Sequence, residues 1–361
     1  MLRYLRLILF PFSFLYGLVV IIRNKCYDWG IFDSVQFDLP VICVGNLAVG
    51  GSGKTPVTEY LVKLLDGRRI AILSRGYGRK TKGFLLADAN ASASTIGDEP
   101  MQYYSKFSQV TVAVCEDRVK GIKMLEKDHD LIILDDAYQH RRVRAGFNIL
   151  LFDYASMFKS QFLLPTGNLR EPFFGHKRAN AIMITKSPEV ISTMAKQKIL
   201  DKFDESQKPL IHFAVIRYDA FKPVYASAVG DLEGLNKKTK VFLLTGIANT
   251  APLLNHLDSQ FQHVVQHPYP DHHQFTEDEI SSVIMAFKRE PSADKCIITT
   301  EKDAQRLLDV RIKELLVDLP VFYLPIAVEL EAADKVRFNK FILDYVSNRT
   351  RDRTIYKAKD Q

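Results

Sequence analysis

The sequence predicts an α/β fold: a mostly parallel sheet with helices on both faces, then a smaller C-terminal α/β domain, with an apolar helix at the N-terminus. Three features predict it. From residue 39 onward, short and near-continuous apolar runs alternate with helix-like stretches. A glycine-rich turn ending in Gly53-Lys54-Thr55 follows the first of these runs directly. The chain also opens with an uncharged stretch, Leu7 to Ile22, flanked by Arg3 and Arg6 before it and Arg23 and Lys25 after it.

The N-terminal segment, residues 1–26, reads as membrane-associated. A secretory signal would need a small-residue cleavage site after the apolar run, and Arg23-Asn24-Lys25-Cys26 is not one. A spanning helix needs about 20 apolar residues; this run is shorter and carries Pro11. Basic residues at both ends suit a segment lying at the interface, with its cations on anionic headgroups. A full span with snorkelling basic residues stays open, as does a buried core helix.

The runs Val41–Val44, Ile70–Leu73, Val110–Val114, Leu131–Leu134, Ile149–Phe152 and Ala181–Ile184 read as strands buried on both faces. With helical segments between them they form repeated β-α units, hence a parallel sheet over residues 27–208. Ile211–Ile216 and Pro223–Ala228 flank a polar turn and read as a hairpin linking two domains, residues 209–228. A second α/β series over 229–325 has strands at Val241–Leu244, His263–Val265, Cys296–Thr299 and Val321–Leu324. There Thr276 and Glu279 form a capping box that opens a helix to about Arg289. Residues 326–361 are read as a helix near Ala332–Ser347 and a frayed charged tail.

The first strand runs into Gly45-Asn46-Leu47-Ala48-Val49-Gly50-Gly51-Ser52-Gly53-Lys54-Thr55-Pro56. This is a Walker A loop: Gly50, Gly51, Ser52 and Gly53 present backbone N–H groups to phosphate oxygens, at the positive end of the following helix. Lys54 reaches the outer phosphates, and the Thr55 hydroxyl suits Mg²⁺. Ala48 stands where the general pattern has its first glycine. The run Leu131-Ile132-Ile133-Leu134-Asp135-Asp136 is an apolar strand ending in acid, the Walker B pattern, so Asp135 and Asp136 are the other metal-ligand candidates. The fold is therefore expected to be P-loop NTPase-like.

Such a loop specifies phosphate binding and leaves the reaction open. A guanine-reading N/T-K-x-D motif is nearly present at Thr185-Lys186-Ser187-Pro188, but Pro188 replaces its aspartate, which favours ATP. Further polar clusters follow the strands: Ser74-Arg75-Gly76-Tyr77-Gly78-Arg79, Gly97-Asp98-Glu99-Pro100, Asp117-Arg118, Gln139-His140-Arg141-Arg142 and Gly167-Asn168-Leu169-Arg170-Glu171-Pro172. Ligands bind at strand ends in open α/β sheets, so together these suggest an anion-rich pocket. The formal charge of +7 fits anionic partners without choosing among them. The four cysteines, Cys26, Cys43, Cys115 and Cys296, form no C-x-x-C pair, which argues against a zinc site or a disulfide framework.

These motifs, in this order, resemble the tetraacyldisaccharide 4′-kinase (lipid A 4′-kinase) family. The resemblance rests on the 45–56 loop, Ser74 to Gly78, Gly97 to Pro100, Asp117-Arg118, Asp135 to His140, Leu164 to Pro172, Asp271-His272-His273 and Thr300 to Ala304. Ala137 and Asn168 depart from the family pattern. The resemblance implies an ATP- and Mg²⁺-dependent kinase acting on the 4′-hydroxyl of an acylated glucosamine disaccharide 1-phosphate. It further implies work at the cytoplasmic face of the bacterial inner membrane, two domains joined by a β-ribbon, no nucleic-acid partner and no obligate protein partner. By resemblance Asp98 is the catalytic base and His272 pairs with it across the domains. Lys54 and Arg170 complete the catalytic set. Ser74, Arg75, Tyr77, Arg118 and His140 contact the disaccharide and its phosphate. Thr300 to Asp303 are candidates near the nucleotide or the domain interface, with no role assigned. The rival readings are a soluble P-loop kinase of a small metabolite and a P-loop GTPase or metallochaperone.

Overall fold

The computed structural model describes residues 6–226 and 235–359; Arg3, Ala228 and the expected start of the second domain lie outside them. Eight strands come first: Val41–Asn46 (β1), Ile70–Ser74 (β2), Leu85–Leu86 (β3), Thr111–Val114 (β4), Leu131–Asp135 (β5), Phe147–Asp153 (β6), Ala181–Thr185 (β7) and Ile211–Tyr218 (β8). Lys222–Pro223 (β9), Lys240–Thr245 (β10), His263–Pro268 (β11), Lys295–Thr300 (β12), Val321–Leu324 (β13) and Ile326–Leu330 (β14) follow.

The larger sheet has the order β14-β8-β7-β6-β1-β5-β2-β4-β3. Every pairing from β8 across to β4 is parallel, while β3 and β14 are antiparallel edges. Apolar runs without alternation form this sheet because helices cover both faces. Val41 and Cys43 belong to one core, and Ile42 and Val44 to the opposite one. Parallel strands place all their C-terminal ends on one edge, so the loops after β1, β2, β4, β5 and β7 share that edge. The smaller sheet, β11-β10-β12-β13-β9, is parallel except for β9 and has an apolar cluster on each face.

Two expectations are corrected. The hairpin does not form: β8 pairs with β7 and β14, whereas β9 joins the other sheet beside β13. The antiparallel ribbon between the sheets is instead β8 with β14, a strand far along the chain that the sequence reading left unassigned. Local turn chemistry suggested a near neighbour, and burial of Ala214 against Val328 and Leu330 selected a distant one. The last helix runs Ala332–Lys359, past the expected end at Ser347. Its Arg and Lys residues are good helix formers, so charge alone does not end it.

The apolar N-terminal segment forms a helix, Phe10–Asp28. Ser13, Gly17, Val20 and Asn24 face the protein, while Phe12, Phe14, Leu15, Val19 and Ile22 are exposed.

His212, on β8, is wholly buried between Asp334, Phe338 and Phe341 of the last helix, and neither ring nitrogen has a hydrogen-bond partner. Burial lowers its pKa to about 4. The folded state thus holds its proton less well than the unfolded chain, whose histidine titrates near 6.5. Stability from this site is complete above about pH 6.5 and is lost as pH falls towards about 4. Urea unfolding of wild type and His212→Phe between those limits should diverge, wild type losing about 2–3 kcal/mol more than the variant.

Candidate active site

β1 ends at Asn46 and the chain turns through the phosphate loop into the helix Lys54–Leu64. Gly53 immediately precedes that helix at φ +81°, a conformation that side-chain-bearing residues rarely adopt. The loop is fastened from two directions. The Thr185 hydroxyl donates to the Ser52 carbonyl at 2.7 Å, and Lys186 donates to the Gly51 carbonyl. On the other side Ala48 bridges to Leu169, and the Val49 N–H donates to the Asn168 carbonyl at 2.8 Å. The near-miss to a guanine-reading motif therefore serves to grip the phosphate loop, and Ala48 holds a backbone pairing.

The parallel register sets Val44 opposite Asp135, so the acid pair ending β5 lies beside the root of the loop. Asp136, at φ +47°, collects two cations. Lys54 Nζ is 3.8 Å from its carboxylate, and the Arg170 guanidinium reaches both carboxylate oxygens, at 2.8 and 3.2 Å. Arg170 also donates to the Asn46 carbonyl at 3.2 Å. Burial raises the Asp136 carboxyl, but Lys54 and Arg170 outweigh it and hold the pKa below the usual range. Asp135 is different. It is fully buried, its Oδ2 accepts from the Tyr103 hydroxyl at 3.2 Å, and its Oδ1 has no partner. Burial, reinforced by Glu99, pushes its pKa up to about 7. Burial, with Asp135 and Glu99, raises the pKa of that phenol, and the neighbouring Thr58 and Thr55 hydroxyls lower it. An orphaned carboxylate oxygen and a threonine hydroxyl around one phenol are the oxygen donors a hard divalent cation takes beside phosphates. Among the described residues no cluster of three or more His, Cys, Asp and Glu could hold a metal unaided, so phosphate and water oxygens would complete such a site.

A second cluster joins the two sheets. Gly97, at φ +96°, turns the chain into the helix Asp98–Lys106; a Cβ there would lie 2.9 Å from the Tyr77 carbonyl. Asp98 Oδ2 meets His272 Nδ1 at 3.1 Å. His272 Nε2 lies 3.0 Å from Lys302 Nζ. Because an ammonium only donates, Nε2 accepts and the Nδ1–H donates to Asp98. The Tyr77 ring packs edge-on against His272 at 5.1 Å. Arg306, buried on the helix Glu301–Leu307, pairs with both Asp98 and Asp303. Burial raises the Asp98 carboxyl, but His272 and Arg306 lower it further, for a net pKa below normal.

The seam continues along the same two helices. Gln102 donates to Glu59 at 2.8 Å and to Glu301 at 3.1 Å, and Lys106 pairs with Glu59 at 2.7 Å and Glu301 at 2.9 Å. Ser105 donates to Gln305 at 3.0 Å. Thr300 accepts from the Asp303 N–H as the N-cap of the Glu301–Leu307 helix. The segment that had no role in the sequence thus supplies the second sheet's half of the seam.

The remaining candidates form a third group. Arg118 is buried, donating to the carbonyls of Cys115 at 2.9 Å and Glu116 at 3.2 Å; burial and Arg75 lower its pKa to about 10. Beside it, burial and Arg118 lower His140 to about 4, and His140 Nε2 has no partner. Arg75 is exposed. Ser74 accepts from the Gly76 N–H at 3.1 Å, which makes it a turn residue in this arrangement. The structure thus unites Lys54, Arg170 and Asp136, unites Asp98 with His272 and Tyr77, and clusters Arg75, Arg118 and His140. Sequence patterns do not single out Asn46, Tyr103 or Arg306, and they name Lys302 only within Thr300 to Asp303, without a role. Arg306 left no local signal, since Glu301-Lys302-Asp303-Ala304-Gln305-Arg306 is charged enough to read as a solvated helix, yet it is buried.

Comparison with known proteins is consistent over nearly the whole chain. Residues 5–347 match the family model described as tetraacyldisaccharide-1-P 4′-kinase. A tetraacyldisaccharide 4′-kinase of Parabacteroides distasonis is 42% identical over 356 residues, covering 96% of each chain. One of Flavobacterium psychrophilum is 44% identical over 354 residues, covering 96% of this chain and 99% of that one. The crystal structure of LpxK from Aquifex aeolicus in complex with ATP superposes with a TM-score of 0.72 at 30% identity, covering 93% of this chain and 98% of that one.

Arg306 tests whether the two sheets meet in solution as they do here. Removing one partner of a buried ion network leaves bare charges behind. Arg306→Met should lower the unfolding free energy in urea by about 3–5 kcal/mol. A loss below about 1 kcal/mol, the range of exposed pairs, would mean that the seam is open in water.

Proposed function

Because the chain belongs to the tetraacyldisaccharide-1-P 4′-kinase family, we propose that it transfers the γ-phosphate of ATP to the 4′-hydroxyl of a tetraacylated glucosamine disaccharide 1-phosphate, a lipid A precursor. One observation carries the assignment of residues: Asp98, which meets His272 from the other lobe, opens the helix whose Tyr103 hydroxyl reaches Asp135 at the end of β5, beside the phosphate loop. A proton acceptor and a triphosphate cradle at one sheet edge are what phosphoryl transfer to an alcohol requires.

Lys54 and Arg170 converge on one carboxylate, and a γ-phosphate can take the same two partners. There they offset the charge that spreads over the phosphoryl oxygens in the transition state. The backbone N–H groups from Gly50 to Thr55 hold the β-phosphate. Asp98 accepts the proton of the attacking hydroxyl. The Nδ1–H of His272 keeps the Asp98 carboxylate aimed, and Lys302 holds His272 in that tautomer. Thr55 and Asp135 are the residues that would hold Mg²⁺, with Asp136 beside them, and the ion would supply positive charge against the phosphates. Arg75, Arg118 and His140 supply positive and polar surface for the 1-phosphate, with Ser74 and Tyr77 bordering it. Division into lobes at 27–208 and 229–325 puts the Asp98–Arg306 seam between them, so the base and its histidine are together only while the lobes are closed.

The acylated substrate gives the Phe10–Asp28 helix its purpose. One side is fixed to the protein from Ser13 to Asn24, so the exposed side, Phe12 to Ile22, suits insertion into a single leaflet better than a span. ATP is cytoplasmic, which sets the working face as the inner side of the inner membrane.

Transfer from ATP to the acylated disaccharide 1-phosphate in detergent micelles tests this reading. Wild type should be active and should lose activity on chelation of Mg²⁺. Lys54→Ala and Asp98→Ala should each lose at least about 100-fold. An Asp98→Ala enzyme of normal rate would remove the base assignment, and a folded wild type without transfer would remove the function.

A further inference from the structure

The N-terminal helix touches the catalytic loop as well as whatever surface its apolar side meets. Its inward stripe, Ser13, Tyr16, Gly17, Val20 and Asn24, lies along residues 163–171. The Ser13 hydroxyl donates to the Thr166 hydroxyl at 2.8 Å and accepts from the Thr166 N–H at 2.9 Å. The Tyr16 hydroxyl donates to the Arg170 carbonyl at 2.9 Å. Asn24 donates to the buried Glu171 carboxylate at 2.9 Å, an oxygen that Arg178 also contacts at 2.8 Å. On the far side of the same loop, the Arg170 N–H donates to the Leu47 carbonyl at 2.6 Å. The Arg170 guanidinium holds Asp136 and Asn46. Nearby, Arg23 donates to the Gln139 carbonyl at 2.8 Å, and the Gln139 amide donates to the Asn46 carbonyl at 2.9 Å.

We infer that Tyr16 and Asn24 are positioning residues for phosphoryl transfer: they hold the backbone of Arg170 and Glu171 so that the Arg170 guanidinium stays at the γ-phosphate. The helix is then a structural wall of the active site as well as an anchor. This rests on the role given above to Arg170. The physical basis is that a loop sewn to the phosphate loop on one side and to the helix on the other has its guanidinium fixed only while both seams hold. A misplacement of about 1 Å at a reacting centre can cost about 100-fold in rate. An anchor acting by tethering alone would use only the exposed apolar side and would leave the turnover number untouched.

The test uses the full chain in detergent micelles with saturating ATP and acylated disaccharide 1-phosphate, alongside sedimentation with phosphatidylglycerol-containing vesicles. Tyr16→Phe and Asn24→Ala should each lower kcat roughly tenfold or more, with KM for the lipid and vesicle partition unchanged. Phe14→Ser combined with Leu18→Ser, on the exposed side, should do the reverse: partition falls, lipid KM rises and kcat holds. Arg170→Ala should lose about 100-fold. Tyr16→Phe added to Arg170→Ala should then cost nothing further, because both act through one guanidinium. Normal kcat in both single variants, losses that multiply with Arg170→Ala, or losses that follow vesicle partition would overturn the inference. A normal rate for Arg170→Ala alone would instead overturn the role of Arg170, so the two failures are distinct.

Discussion

Parallel pairing of β1 with β5 is the constraint on which the site depends. That register sets Val44 beside Asp135 and brings the phosphate loop and the acidic pair to the same sheet edge. Because the flanking pairings are parallel too, the loops after β2, β4 and β7 are delivered to that edge. The apolar strands make this possible, since a sheet covered on both faces can bury them without exposing a polar side. The polar chemistry is thereby confined to the loops, where backbone groups and side chains can meet a charged ligand.

The second constraint is electrostatic. Two sheets meet through charges rather than through a shared apolar core: Asp98, Asp303 and Arg306 in one group, Glu59, Lys106 and Glu301 in another. Buried charges are tolerated only when paired, so this seam is closed or it is wet, with little between. An interface of this kind suits a site that must shut before transfer and open afterwards. The placement of Asp98 inside it ties the proposed base to that seam, because the side chains that hold its pKa low, Arg306 and His272, come from a helix and a turn of the other lobe.

The N-terminal helix extends the same logic to the lipid side. Over Phe10 to Asn24 it is apolar nearly throughout, yet its polar or small positions, Ser13, Tyr16, Gly17, Arg23 and Asn24, face the protein. That inversion leaves a continuous apolar surface outward and a hydrogen-bonded surface inward. On the proposed function, the acyl chains of the substrate and the reacting phosphate would be served by opposite sides of one helix.

The sequence by itself determined the parallel sheet, the phosphate loop, the acid pair at a strand end and the apolar helix. Each of these is a local pattern: a run of apolar residues, glycines before Gly53-Lys54-Thr55, Asp135-Asp136 closing a strand. The motif order was also sufficient to identify the family. Only the tertiary structure decided the partner of β8, which is β14 rather than the neighbouring β9, because pairing over that distance is chosen by burial and leaves no local mark. The same holds for Arg306, Lys302 and Tyr103, whose roles arise from side chains that meet Asp98, His272 and Asp135 from remote parts of the chain. A short charged helix such as Glu301–Leu307 looks solvated in sequence; it is buried here because opposite charges on the remote Asp98–Lys106 helix, and the Asp303–Arg306 pair within it, neutralise it.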